Sequence, residues 1–529
     1  MSGGSPRVLV CGTLKGRGLE ILESGGCEVD HRPDHPSGSL ADVIAPFAAV
    51  IVHSGHLVDA ATIAAGKSLR VVGRAGVGVD NIDLEAATAA GVLVMNLPWG
   101  NTVTAAEHTV ALMLALARNV PQAAAALRAG VWDRKPYLGV ELEGKKLGIV
   151  GFGRIGREVA RRAQALEMQV VAFDPYMSAR VAADLGIELV ELDELLPIVD
   201  VLTLHVPLSA ETRHLIDAEA LAKMKPGARL INCARGGLVD EGALLAALES
   251  GHIAGAAFDV FENEPEPDPS LLAHPRFIGT PHLGGATLEA QEKVGEGIAR
   301  QVVEFLRDGA IHHAINVQAL PPEEQRPMLP YMDLARRLGS MLSQCFTGIE
   351  TLRIEYFGEL TRYTTRPVSA AALVGFFEPH LAEQVNPVNV WNVARDRGIE
   401  VEEASSSAAS GYASLLRVVG KGQGGEHALA GTVFDQERPR VVELDGLPIE
   451  LTPEGHLLLF ANDDRPGVVG AVGAFLGDRG VNIAEVRLAR APGAETAIAV
   501  MTLDSGLDAE TLEAFEELEV IKWARFVTL

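Results

Sequence analysis

Cysteine is scarce. Cys11, Cys27, Cys233 and Cys345 are the only four in 529 residues, and no CxxC occurs. Such scatter supports neither a zinc site nor a disulfide framework, and no metal is expected. Reduced thiols fit a cytoplasmic enzyme. Positive charge is also in deficit: 45 Lys and Arg stand against 70 Asp and Glu, a formal net charge of −25. That balance argues against nonspecific binding to nucleic acid or to an anionic membrane. No apolar run reaches the length of a membrane span. The first six residues, MSGGSP, contain no apolar stretch, so no signal peptide is expected. What remains is ample core material, 48% hydrophobic residues with only 22% charged. The length suggests three or four domains.

The densest chemistry lies at 147–156, LGIVGFGRIG, where an aliphatic run meets three glycines spaced G-x-G-x-x-G. Ile155, Val159, Ala160, Ala163 and Leu166 then recur at helical spacing. Residues 170–173, VVAF, read as a second strand ending on Asp174. Strand, glycine turn, helix, strand and acid make up one dinucleotide-binding unit. Gly151 permits the tight turn, Gly153 lets backbone approach a pyrophosphate, and Gly156 lets helix pack on sheet. The helix N-terminus offers unpaired N–H groups to the phosphates. Asp174 can accept hydrogen bonds from a ribose diol and repels a 2′-phosphate, so NAD is favoured over NADP.

Around this unit the chain alternates strands and helices. Residues 7–12, 49–52 and 69–73 are strands of a first lobe, and the rhythm resumes over 145–285. Alternation of this kind means parallel sheets with helices on both faces, here two doubly wound, Rossmann-like lobes. Residues 101–119 read as a helix with Ala105, Ala106, Thr109, Leu112, Met113 and Leu116 on one face. Residues 286–309 read as an amphipathic helix stopped by Gly309. In the first lobe, RAGVGVDN (74–81) is Gly-rich without the dinucleotide spacing. Its glycines, Gly76 among them, can let backbone N–H groups meet a carboxylate while Arg74 supplies charge. A structural turn with a surface arginine is the alternative. After the prolines at 321 and 322 the texture changes to an α+β stretch without a dense motif. The last 75 residues read as strand, helix, strand, strand, helix, strand, a ferredoxin-like module.

Three residues should project from the carboxyl edge of the second sheet. Arg235 follows the strand at 228–232, Glu264 follows the one at 256–261, and His282 lies in TPHLGG (280–285). Singly, each is an ordinary loop residue. Together they are what oxidation of a 2-hydroxy acid requires. Arginine holds the substrate carboxylate with a fork of donors. A histidine takes the C2 hydroxyl proton as hydride leaves for a nicotinamide. A carboxylate beside that histidine fixes its tautomer and stabilises its charged form.

Residues 7–318 closely resemble the D-isomer-specific 2-hydroxyacid dehydrogenases. The resemblance rests on VGRAGVGVDNIDLEAA (72–87), LGIVGFGRIGREVA (147–160), INCARGGLVDEGAL (231–244), AAFDVFENEP (256–265) and PHLGGAT (281–287). Residues 319–452 look like the intervening domain of the family's long form and the tail like an ACT domain. The implied domains are a substrate lobe at 1–98 plus 287–318, an NAD-binding domain at 99–286, an intervening domain at 319–452 and an ACT domain at 453–529. The resemblance makes Arg235, Glu264 and His282 catalytic. It makes Arg154, Ile155, Asp174, Ala234, Asp259 and the segment from His282 to Gly284 contacts of NAD. It implies oxidation of (2R)-3-phosphoglycerate by a homo-oligomer, a dimer of dimers. It also implies L-serine as an effector at Asp464 and Asn482, where ACT domains pair between subunits. A purely structural pairing module is the alternative there.

For the phosphate, the candidates are Arg74, Arg134 (reaching a neighbouring site across a dimer interface, by the resemblance) and His53. Relatives commonly carry arginine and serine after the strand ending at Val52, whereas this chain has His53-Ser54-Gly55. At its reference pKa, His53 would lose its charge above about pH 7.5 and KM would rise there. Two other readings use the same motifs: a dehydrogenase of another D-2-hydroxy acid, or an NAD-binding corepressor-like scaffold. The ACT-like tail, the acidic charge and the lack of low-complexity arms argue against the scaffold.

Overall fold

The computed structural model describes residues 5–35, 38–381, 385–408, 411–422, 424–490 and 496–529. Residues 1–4, part of the segment read above as no signal peptide, lie outside the described residues.

The first lobe is a five-stranded parallel sheet of Arg7–Cys11, Glu28–Arg32, Ala49–Val52, Val71–Arg74 and Leu93–Met95. Counted along the chain, its strand order is 2-1-3-4-5. The order reverses between Arg7–Cys11 and Ala49–Val52, so the crevice of this sheet opens beside Gly12 and His53. Helix Leu288–Asp308 returns from the other lobe to cover the sheet. Val294, Ile298 and Val302 are buried with Val8, Val10 and Val71. Thr287 caps its start by accepting from the Ala290 N–H, and Gly309 ends it at φ 70°.

The second lobe is a seven-stranded parallel sheet in the order 3-2-1-4-5-6-7. Its strands are Lys146–Val150, Gln169–Phe173, Glu188–Leu189, Val201–Leu204, Ala228–Asn232, Ile253–Phe258 and Phe277–Gly279. The sixth strand stops at Phe258, three residues before the end expected from sequence. The Asp259 side chain then turns into the loop that follows the seventh strand. Helix Thr102–Ala117 carries the chain in from the first lobe. The six face residues expected from its pattern are all buried.

Residues beyond 320 form two α+β layers. A six-stranded sheet is covered by helices Pro322–Cys345 and Arg366–Phe377. The helices touch backbone to backbone: a Cβ on Gly339 would lie 2.0 Å from the Ala372 carbonyl oxygen, and one on Gly375 1.8 Å from that of Arg336. The tail is an antiparallel sheet in the order 2-3-1-4, with helices Val468–Asp478 and Ala509–Glu516, matching the expected βαββαβ pattern. One face packs on its own helices through Val472, Leu476 and Phe515. The other joins the preceding domain's core through Leu457, Leu459 and Val500. Among the described residues no single helix is long and apolar enough to cross a membrane. One bent pair, Thr102–Ala117 with Val120–Arg128, passes the test together, but the first member is a core helix.

Candidate active site

The dinucleotide turn has the room it needs. Gly151 sits at φ 93° with a Cβ position only 2.6 Å from the His205 carbonyl oxygen. Nothing lies within 4 Å of the Cβ position of Gly153, so space is open above the turn. A Cβ on Gly156 would fall 2.3 Å from the Gly151 oxygen, so the helix can pack this closely only with glycine there. Arg154 and Ile155 open helix Arg154–Ala165, whose first N–H groups face the turn. Asp174 stands half-buried at the end of the second strand. It accepts the Phe152 N–H at 2.9 Å on one oxygen and the Tyr176 N–H at 2.9 Å on the other. Each oxygen keeps a lone pair for a ribose hydroxyl. These residues fit NAD.

His282 and Glu264, read from sequence as an acid–base pair, lie in hydrogen-bond contact. His282 Nδ1 lies 2.8 Å from Glu264 Oε2, and Glu264 Oε1 accepts the Phe261 N–H at 3.0 Å. An ionised carboxylate only accepts, so Nδ1 carries the proton and Nε2 presents its lone pair. Both side chains are partly exposed, 51% for His282 and 37% for Glu264, so the pair opens to the cleft. His282 has φ 54°, a left-handed backbone that costs about 1–3 kcal/mol when held in place. Its holder is Asp259. The resemblance made Asp259 an NAD contact, yet the residue is only 1% exposed and its carboxylate is occupied. It accepts from Thr280 Oγ1 at 2.6 Å, the Leu283 N–H at 2.7 Å, the Gly284 N–H at 2.7 Å and His108 Nε2 at 3.2 Å. Burial raises its pKa, but these hydrogen bonds outweigh burial and hold it below the ordinary carboxylate range. Gly284 likewise spends its N–H on Asp259.

Arg235 follows the fifth strand in a turn clamped by Asn232. The Asn232 side chain accepts from the Ala234 N–H at 3.1 Å and donates to the Arg235 carbonyl at 2.9 Å. The Arg235 guanidinium spans the cleft to Asp80 of the first lobe at 3.4 Å. There it neighbours Arg74, whose pKa burial and Arg235 push down to about 10, still charged at neutral pH. A Cβ on Gly76 would fall 1.3 Å from Arg74 Nη1. Gly76 therefore serves by lacking a side chain. Its N–H is not aimed at a ligand, as the sequence suggested, but bonds the Arg74 carbonyl at 2.8 Å.

His53 departs furthest from expectation. Burial first, then Arg74 and His56, push its pKa down to about 4. It is neutral across the physiological range rather than titrating near 7. Its Nε2 and the Nε of Arg74 are buried without hydrogen-bond partners; the Arg74 Nε–H is a donor available to an anion in the crevice. Arg134 lies on an exposed loop and forms no side-chain hydrogen bond or ion pair among the described residues. Asp464 pairs with Arg490 at 3.1 Å and Asn482 donates to Asp504 at 2.6 Å, both in the tail. Asn232, Asp80 and His108 were not singled out from sequence. Only His108 left a signal, as a polar residue beside the apolar face of helix Thr102–Ala117.

Comparison with known proteins agrees with this geometry. Residues 110–284 match the model of the D-isomer specific 2-hydroxyacid dehydrogenase NAD binding domain. Residues 327–445 match the D-3-phosphoglycerate dehydrogenase intervening domain and 456–520 the ACT domain. D-lactate dehydrogenase from Aquifex aeolicus, solved with NAD and lactic acid, is 27% identical with a TM-score of 0.51, covering 57% of this chain and 95% of its own. The D-3-phosphoglycerate dehydrogenase of Bacillus subtilis is 39% identical over 99% of both chains. That of Archaeoglobus fulgidus is 40% identical over 99% of this chain and 100% of its own. With an NAD-type turn, a His–Glu pair and relatives that match end to end, the chain belongs to the D-3-phosphoglycerate dehydrogenase family.

Proposed function

We propose that this protein oxidises (2R)-3-phosphoglycerate to 3-phosphonooxypyruvate, reversibly and with NAD, as the first step of phosphorylated L-serine biosynthesis in the cytoplasm. The observation that carries the chemistry is the 2.8 Å His282–Glu264 pair, on the same sheet edge as Arg235. NAD, when bound, supplies the hydride acceptor. Arg235 exchanges its exposed Asp80 partner for the substrate carboxylate. His282 Nε2 takes the C2 hydroxyl proton, and Glu264 steadies the imidazolium through Nδ1. Arg74 and His53 meet the phosphate. Arg134 of a second copy adds to them, a placement supported by the exposed apolar surface around it, with Trp132 82% and Leu138 88% exposed. Asp464 and Asn482 would hold L-serine where two tails pair.

Two arms test the reading. The (2R) enantiomer of 3-phosphoglycerate should reduce NAD and the (2S) enantiomer should not; equal turnover of both would refute the site assignment. Calorimetry on the intact protein should show L-serine binding. No heat of binding would leave the tail a structural pairing module.

The phosphate reading has its own expected result. Because His53 is neutral from pH 6.5 to 8.5, its titration should not move KM in that window. His53→Arg should lower KM by about tenfold throughout, the worth of one charge-assisted hydrogen bond. A KM that rises with pH in the wild-type enzyme but not in the variant would show that bound phosphate pulls His53 back into titration.

A further inference from the structure

Helix Thr102–Ala117 has a second side. Its core face is 105, 106, 109, 112, 113 and 116. Beside it runs a polar stripe, Asn101, Thr104 and His108, at spacings of three and four. Every member meets the segment that carries His282. A Cβ on Gly285 would stand 3.1 Å from Asn101 Nδ2. Thr104 Oγ1 lies 3.2 Å from Thr287 Oγ1. His108 Nε2 lies 3.1 Å from Thr280 Oγ1 and 3.2 Å from Asp259 Oδ1.

The donors to Asp259 are not equivalent. Thr280, Leu283 and Gly284 all belong to the turn around His282, and the Asp259 carbonyl also accepts the His282 N–H at 2.9 Å. Asp259 and the turn thus form one closed unit. Among the described residues, His108 is the one side-chain donor that reaches the Asp259 carboxylate from a separate element. Since Asp259 only accepts, His108 presents Nε2–H to it. That bond ties the unit to the helix, which starts at the crossover between the lobes.

We propose that His108 is a positioning residue: by donating to Asp259 it fixes the turn at 280–284, and with it the aim of His282 Nε2 at the substrate hydroxyl. The proposal rests on the dehydrogenase reading above. It separates catalysis from binding, because Arg235 and Arg74, which hold the substrate, lie on other loops.

His108→Ala should therefore lower kcat by about 10- to 100-fold, the scale of a displaced reacting group, with KM for substrate and for NAD within about threefold. His108→Gln, whose amide N–H can reach Asp259, should restore kcat to within about threefold of wild type. If the alanine variant fails to fold, His108→Met fills the same volume without a donor and takes its place. A donorless variant with wild-type kcat would overturn the proposal. So would a glutamine variant as impaired as alanine, or a loss confined to KM. The assay uses whichever 2-hydroxy acid the wild-type enzyme turns over. A wrong substrate assignment would then show as wild-type inactivity on 3-phosphoglycerate, and the kcat comparison would still stand.

Discussion

Replacing His282 by alanine is expected to lower kcat by about 10²- to 10⁴-fold, the range for loss of general acid–base catalysis. NAD affinity should change far less. The reason is geometric. The turn at 151–156 and Asp174, the proposed cofactor cradle, lie on the first two strands of the sheet, whereas His282 follows the seventh. Removing the imidazole leaves that cradle, Arg235 and the Asp259-held turn in place. It deletes the imidazole whose Nδ1 Glu264 holds and whose Nε2 is left to take a proton. Glu264→Gln keeps the shape and an acceptor for the Phe261 N–H but removes the charge opposite Nδ1. Its kcat should fall less, by about tenfold, again without a large change in NAD affinity. Steady-state kinetics with separately titrated cofactor checks both. Near-normal kcat in the two variants would refute the pair.

A large effect is also expected from one methyl group at Gly236. A Cβ there would lie 1.8 Å from the Phe261 carbonyl oxygen and 2.2 Å from its carbon, both backbone atoms. Neither can rotate away, so two chain segments must separate. One carries Arg235 next door. The other begins at Phe261, whose N–H orients Glu264. Gly236→Ala should thus disturb Arg235, the proposed carboxylate binder, and the partner of His282 together. A shift near 1 Å costs about 10²-fold in kcat/KM, and the overpacking costs about 1–3 kcal/mol of stability. Gly242→Ala is the control. Its Cβ would make only an ordinary 3.4 Å contact with Asp240 Oδ1, in helix Glu241–Glu249. There alanine should leave activity intact and stability equal or slightly higher. Thermal unfolding and kinetics on the two variants separate the cases.

What was legible in the sequence shares one property: its chemistry is local. The turn at 151–156 declares itself because a strand, three glycines, a helix and an acid must follow one another closely to hold a pyrophosphate. The strand at 228–232 could be delimited to the residue because a buried apolar run meets Asn232. Arg235, Glu264 and His282 were found because each follows a strand of one parallel sheet, and such strands end on one edge. What escaped depends on distant partners. His108 and Asp259 are 151 positions apart, and no spacing rule joins them. The burial of Asp259 followed from the early end of its strand, invisible in a run of apolar residues. The reference titration expected of His53 fails because sequence does not show that it is buried, with Arg74 and His56 beside it. Helix Pro322–Cys345 was obscured by Pro327 and Pro330, which normally argue against a helix interior. That helix crosses Arg366–Phe377 at Gly339 and Gly375, a contact that glycines alone allow.

The most direct measurement of the central claim is NADH formation from (2R)-3-phosphoglycerate beside unphosphorylated D-glycerate and D-lactate, under one set of conditions. The cleft combines a His–Glu pair for any 2-hydroxy acid with Arg74 and His53 set deeper in the first lobe. The expected result is turnover of 3-phosphoglycerate with kcat/KM at least about 10²-fold above either unphosphorylated acid, the worth of two charge-assisted hydrogen bonds to phosphate. Equal kcat/KM for D-glycerate or D-lactate would contradict it.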